Sequence, residues 1–168
     1  MKRREQKTKE VATAAARDGS HKKCVTVLHV DDDPNDTMLL QAASRKARVD
    51  FQLQNVEDGE RAIAYLSGQE QFADRTRYHM PALVLLDLKM PRATGFEILK
   101  WIRSHPHPAL SRMPVVVLSG SELKDDIRHA YAEGANSYLV KPLGFDALVN
   151  LIKGISAVWL AASSQLAI

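Results

Sequence analysis

Four points along the chain place reactive side chains directly behind short apolar runs. Three consecutive carboxylates, Asp31, Asp32 and Asp33, follow Val25–Val30. Asp87 follows residues 82–86, Ser119 and Gly120 follow 115–118, and Lys141 and Pro142 follow Ser137–Val140. Carboxylates brought within a few ångströms repel, and one stays protonated unless a cation joins them. Mg2+ suits such a group, being a hard ion that keeps several waters and takes one or two carboxylates plus phosphate oxygens. Helix capping accounts for Asp33, which stands just before Pro34, but not for Asp32, nor for Asp87 behind a buried strand. Asp87 suits a nucleophile as well as a ligand, since carboxylates form acyl phosphates. Phosphoryl transfer asks a protein mainly for positioning and charge neutralisation. A metal on one side and Lys141 on the other supply the second, and Ser119 can donate to a phosphoryl oxygen.

Such a constellation needs elements that bring those four points together. From residue 24 onward short β-rich runs (25–30, 51–56, 82–86, 115–118, 137–140) alternate with stretches of helical spacing. Ile98, Leu99 and Ile102 share one helical face, as do Ile127, Ala130 and Tyr131, and Leu148, Leu151, Ile152, Ile155 and Trp159 trace a third stripe. Five strands alternating with five helices predict an α/β fold, a doubly wound five-stranded parallel sheet covered on both faces. Residues 82–86 and 115–118 are unbroken apolar runs, as central strands are. Phe51-Gln52-Leu53-Gln54 alternates and suits an edge strand, and the polar stretch 67–80 reads as a surface excursion. Open parallel sheets carry function at the carboxyl ends of their strands, where all the reactive residues fall.

Composition narrows the class. The chain has 168 residues, 45% hydrophobic and 26% charged, and one cysteine, Cys24. One domain is expected, large enough to fold without disulfides or a structural metal. A lone cysteine closes no intramolecular disulfide and completes no CxxC motif. The formal charge of +3 divides into +5 over residues 1–23 and −2 over the rest. The folded part therefore offers no basic footprint for nucleic acid, and residues 1–23 read as a disordered basic arm, dispensable for chemistry. No run is long and apolar enough for a secretory signal or a membrane span, so a cytoplasmic location is expected. His105 and His107, flanking Pro106, read as solvent-exposed residues of a loop, His29 as a packed residue beside the acids, and Trp101 and Trp159 as core or interface.

The stretch 24–160 resembles the receiver domain of two-component response regulators, the CheY-like family. The matching blocks are Asp31–Asp36 (DDDPND), Leu85–Arg92 (LLDLKMPR) with Gly95, Pro114–Gly120 (PVVVLSG), and Gly134-Ala135-Asn136 through Lys141-Pro142, with 22 residues separating Ser119 from Lys141. The resemblance implies a flavodoxin-like strand order 2-1-3-4-5 and a phosphoacceptor switch rather than an enzyme, taking a phosphoryl group from a sensor histidine kinase. It assigns the phosphoryl group to Asp87 and Mg2+ to Asp32, Asp33, Asp87 and the Lys89 main-chain carbonyl. Lys141 would pair with Asp87 or its phosphoryl group, with a cis Lys141–Pro142 bond. Ser119 becomes the switch hydroxyl and Tyr138 the switch aromatic, turning inward on phosphorylation. Asp31 is left as a neighbour of the site, and Gly120 as room beside the phosphoryl group. Details such as Glu57-Asp58-Gly59 and Asn136-Ser137-Tyr138-Leu139-Val140 are similar to stand-alone regulators paired with phytochrome-type (bacteriophytochrome-type) kinases.

The rival reading is a haloacid-dehalogenase-type phosphatase, which would use Asp31-x-Asp33 but needs a second acidic motif after the lysine, where only Asp146 stands. A flavodoxin-like flavin carrier would want a neutral, hydroxyl-rich loop in place of Asp31–Asp36. With residues 161–168 as a short tail and no effector domain in view, the signal is expected to leave through the helix of 122–133, the fifth strand and the helix of 145–160. The uncharged end at 158–168 suggests a homodimer through that face.

Overall fold

Alternation of side chains along the apolar runs decides the architecture, because successive residues of a strand point to opposite faces. A computed structural model describes residues 25–91 and 94–160. The arm expected over 1–23 and the tail expected over 161–168 lie outside the described residues. Five strands, β1 (Val25–Val30), β2 (Phe51–Val56), β3 (Leu83–Leu86), β4 (Val115–Ser119) and β5 (Ser137–Val140), form one sheet in the order β2-β1-β3-β4-β5. Every pairing is parallel. The helices are α1 (Pro34–Ala47), α2 (Gly59–Ser67), α3 (Gly95–Ser104), α4 (Pro108–Ser111), α5 (Lys124–Ala132) and α6 (Phe145–Ile155). A π-helical turn, Ser156–Leu160, continues α6.

Leu28, Val30, Val84, Leu86, Val115 and Val117 face one side, packing with Ala62 and Leu66 of α2, Ile98, Leu99 and Ile102 of α3, and Ala130 of α5. Val27, Leu83, Leu85, Val116 and Leu118 face the other, against Leu40 and Ala43 of α1 and Val149, Ile152 and Ile155 of α6. Two cores on one sheet are what the unbroken apolar runs demand. Trp101 and Trp159 lie partly buried against these two clusters, one on each.

Two expectations need correction. Among the described residues the helices number six, because Pro108–Ser111 forms a single turn where a loop was expected, with the exposed His107 ring accepting from the Ala109 N–H as its cap. The stretch 67–80 runs over the surface as expected, and side chains pin it there. It carries a 3-10 turn, Glu70–Phe72, and the buried Phe72 ring meets Tyr65 at 5.0 Å and Tyr78 at 5.1 Å. Arg75 clamps it by donating to the main-chain oxygens of Leu66 and Tyr78. Its few aromatics hold down an otherwise polar segment. The Lys141–Pro142 bond is trans, the isomer that X–Pro bonds favour intrinsically by about 0.5–1 kcal/mol.

At the amino end of the sheet Arg103 ties β4 and β5 to α3. It donates to the main-chain oxygens of Gly134, Ser111 and Met113 and to Asn136 Oδ1. At the carboxyl end Gly95 opens α3 against the strand, where a Cβ would lie 2.2 Å from the Asp87 carbonyl oxygen. Only glycine permits that approach. No helix among the described residues is long and apolar enough to cross a membrane.

Candidate functional site

The parallel ladder runs one residue past each strand and sets the site's backbone. The Asp31 N–H donates to Val56 O (3.1 Å), the Asp87 N–H to Val30 O (3.0 Å) and the Lys141 N–H to Ser119 O (2.9 Å). Three strand ends thus converge. Carboxylate oxygens of Asp31, Asp32 and Asp87 lie within 4.8 Å of one another, Asp31 and Asp87 buried and Asp32 exposed.

The acidic group is therefore Asp31, Asp32 and Asp87, not the expected Asp32, Asp33 and Asp87. Asp31 continues the pleat of β1 into the site. By Asp33 the chain has turned into α1, whose first free N–H, that of Asn35, donates to the Asp33 carboxylate (2.8 Å). The Asp33 N–H in turn donates to Asp31 Oδ1 (2.9 Å). Asp33 is a helix cap, its carboxylate accepting from an amide at the positive end of α1.

Lys141 meets three carboxylates. Its ammonium donates to Asp31 Oδ2 (2.7 Å) and Asp36 Oδ2 (2.6 Å) and stands 3.7 Å from Asp87 Oδ2. Asp36, three residues beyond the cap on α1, escapes sequence reasoning because its contact with Lys141 spans 105 positions. His29, buried in β1 as expected, brings Nε2 to 3.4 Å from Asp31 Oδ2, while its Nδ1 has no partner among the described residues.

These contacts divide the acids electrostatically. Burial pushes the Asp31 carboxyl up, but hydrogen bonds from His29, Lys141 and the Asp33 amide, with the Lys141 charge, outweigh it and hold the group at about 2. Burial alone would lower Lys141; its hydrogen bonds to Asp31 and Asp36, with the charges of Asp87 and Asp31, raise it to about 12. Asp87 goes the other way. Burial raises it, Lys141 opposes that from a distance, and the Asp31 charge raises it further. The Leu88 N–H donates to Asp87 Oδ1 (2.9 Å), and the Lys89 N–H also reaches this carboxylate, the Lys89 side chain being exposed.

Ser119 closes β4 inside the sheet, fully buried, with its hydroxyl in hydrogen-bonding reach of both Asp87 and the Tyr138 hydroxyl. Tyr138 lies turned in toward Ser119. Its hydroxyl donates to Ser121 O (2.9 Å) and its ring packs on the α2–α3 core, so burial is compensated by a hydrogen bond. Gly120 is exposed, with nothing within 4 Å of a Cβ built there, so the side of the site beside it is open. Pro142 lines, with His29, Asp31, Asp36, Leu118 and Lys141, a cavity of about 50 Å³ between α1 and α6. The Asp31-x-Asp33 pair of the phosphatase reading is not assembled, since Asp33 caps α1 and both oxygens of Asp31 accept hydrogen bonds.

Comparison with known proteins agrees with this geometry. Residues 27–153 match the model of the response regulator receiver domain. Response regulator Rcp1 of Synechocystis sp. is 35% identical over 134 residues, which cover 80% of this chain and 88% of that protein. Its Mn2+-bound structure superposes with a TM-score of 0.69 at 34% identity, covering 81% of this chain and 94% of that one. The phosphorylated cyanobacterial phytochrome response regulator RcpA gives 0.73 at 37% identity, with 83% and 96% covered. RPA3017 of R. palustris, a response regulator in red light signaling, gives 0.76 at 35%, with 81% and 94% covered. Strand order, the acids at the ends of β1 and β3, and these matches over most of the chain lead to one assignment: the chain belongs to the response regulator receiver domain family.

Proposed function

We propose that Asp87 is the phosphoacceptor of a two-component switch, charged by a sensor histidine kinase and assisted by Mg2+. The convergence of Asp31, Asp32, Asp87, Ser119 and Lys141 at adjacent strand ends carries this reading. An oxygen of the Asp87 carboxylate attacks the phosphorus, the bond from phosphorus to the donor breaks, and the leaving group departs with its electron pair. The Ser119 hydroxyl and the Lys141 ammonium stand ready for oxygens of the transferred group. The donor set suits the ion, for it is all oxygen, and the buried Asp87 carboxyl, raised by its burial and by Asp31, lacks a full counter-charge. Asp31, Asp32, Asp87 and the Lys89 carbonyl would hold Mg2+, which supplies charge neutralisation to the transferring phosphoryl group. Asp33 leaves that set.

The finer assignments rest on similarity and surface. Likeness to RcpA, Rcp1 and RPA3017 supports a phytochrome-type kinase as donor. The exposed Met38 and Leu39 of α1, with Leu143 and Phe145 beside the Lys141 loop, give it an apolar rim next to the acids. The signal leaves through α5, β5 and α6, where Leu123, Tyr131 and Val158 are exposed and suit a two-fold homodimer in the cytoplasm.

Intact-mass measurement with acetyl phosphate and Mg2+, followed by mapping, tests the chemistry. One phosphoryl group on Asp87, absent in Asp87→Asn, is expected, and a full mass gain in that variant overturns the assignment. Light scattering with and without beryllofluoride tests the dimer, which fails if the protein stays monomeric at high concentration in both states.

A further inference from the structure

An ammonium has three N–H donors and accepts nothing. In this chain two of those of Lys141 are taken, by Asp31 Oδ2 at 2.7 Å and by Asp36 Oδ2 at 2.6 Å. The third neighbour, Asp87 Oδ2, lies at 3.7 Å, beyond hydrogen-bond distance. At that separation the two are an ion pair without a hydrogen bond, so Asp87 Oδ2 accepts no donor from Lys141 and one N–H of the ammonium stays uncommitted. The Lys141 side chain is 19% exposed and flanks the 50 Å³ cavity, so bulk water screens its ion pairs only in part.

The two anchors are not equivalent. Asp31 belongs to the acidic group with Asp32 and Asp87, and a cation held there would compete with Lys141 for it. Asp36 lies outside that group, one helical turn along α1. Were a divalent ion to draw on Asp31, Asp36 would be the carboxylate that still fixes where the ammonium stands. We propose that Asp36 is a positioning residue for phosphoryl transfer, holding the Lys141 ammonium beside Asp87 with one N–H uncommitted for the incoming phosphoryl group. Released from Asp36, the lysine is free to close its 3.7 Å ion pair with Asp87 into a hydrogen bond to the nucleophile it should leave open. This inference rests on Asp87 being the phosphoacceptor.

The sign of the effect makes it testable. Removing a negative charge near an anion-binding site should by Coulomb's law alone speed phosphorylation; losing a positioning group should slow it. The experiment is the rate of mass gain from acetyl phosphate in native protein, Asp36→Asn and Asp36→Glu across an Mg2+ titration, with Asp146→Asn as a surface-charge control, since Asp146 pairs with the exposed Lys46. A fall of about tenfold is expected for Asp36→Asn, the scale on which one charge-assisted hydrogen bond acts, with Mg2+ dependence unchanged, partial recovery in Asp36→Glu and a native rate in Asp146→Asn. A native or faster rate in Asp36→Asn overturns the proposal.

A second readout uses native protein and needs no turnover. The Lys141 ammonium protons, read through their 15N, should exchange with water more slowly than those of Lys46, and Asp36→Asn should narrow the difference, with Asp31 still holding one donor. Equal exchange in native protein sinks the inference whatever the kinetics. If the native protein takes up no phosphoryl group while Lys141 is protected, the phosphoacceptor reading fails and the lysine's placement stands.

Discussion

Replacing Asp31 by asparagine removes one of the two carboxylates that hold Lys141, and it should flatten the acid limb of the stability curve. The folded protein keeps the Asp31 carboxyl at about 2, against an ordinary 3.8. A depressed carboxyl contributes stability that is fully present above its unfolded value and is lost as pH falls through the folded one. The displacement corresponds to about 2 kcal/mol in all, of which about 1 kcal/mol disappears between about pH 5 and pH 3 and the rest below. The side chain is buried, so solvent screening does not erase the effect. Asp74 and Asp146 are also lowered by their hydrogen-bond partners, but they are common to both proteins and drop out of the difference. Urea unfolding in chelator at a series of pH values reads the result directly. The native protein should lose about 1 kcal/mol more than Asp31→Asn between about pH 5 and pH 3. Parallel curves across that window would refute the view that His29, Lys141 and the Asp33 amide hold this carboxyl down.

Three further outcomes follow from single contacts. Gly95→Ala drives a methyl into the Asp87 carbonyl; it should cost about 1–3 kcal/mol in thermal or urea unfolding and lower the phosphorylation rate, and a neutral substitution would mean that α3 need not close on the strand end. Arg103→Ala strips four acceptors at the opposite end of the sheet and should cost about 2–4 kcal/mol while the acetyl phosphate reaction stays native, since nothing in the acidic group touches it. Tyr138→Phe removes the hydrogen bond to the Ser121 carbonyl, so calorimetry should show about 1 kcal/mol lost, with mass gain on Asp87 unchanged.

Much of the fold was legible because two signals agreed. The unbroken runs ending at Leu86 and Leu118 could only be central strands, and reactive residues behind them had to meet at one edge. What one strand end cannot reveal is which of three consecutive aspartates turns inward. The sequence did hold a clue, because the residue before Pro34 is an N-cap position, and a cap is satisfied by its own helix. Following that clue removes Asp33 from the site and leaves Asp31 and Asp32. Asp36 was not legible, since no local rule connects an acid in the first turn of α1 with a lysine behind β5. The single turn Pro108–Ser111 escaped because four residues are too few to display a helical period. The pinned stretch 67–80 escaped because its anchors, Phe72 and Tyr78, stand isolated among polar residues.

Five acids crowd the first turn of α1 and the end of β3, and their commitments separate fold from chemistry. Asp33 is held by the Asn35 amide, Asp36 by Lys141, and Asp31 by Lys141, His29 and the Asp33 amide. Each of those three has a hydrogen-bonded partner that folding supplies. Asp32 has no partner among the described residues, and Asp87 has only amide and hydroxyl donors, with Lys141 standing off. Asp32 is wet and tolerates its charge, whereas Asp87 is buried and its charge is costly. A buried carboxylate whose counter-ion stands off at 3.7 Å gains more from a cation, and from covalent conversion of its charged oxygen, than one already hydrogen-bonded to that counter-ion. Asp87 is thus distinguished less by its position after a strand, which Asp31 shares, than by what its neighbours have already used.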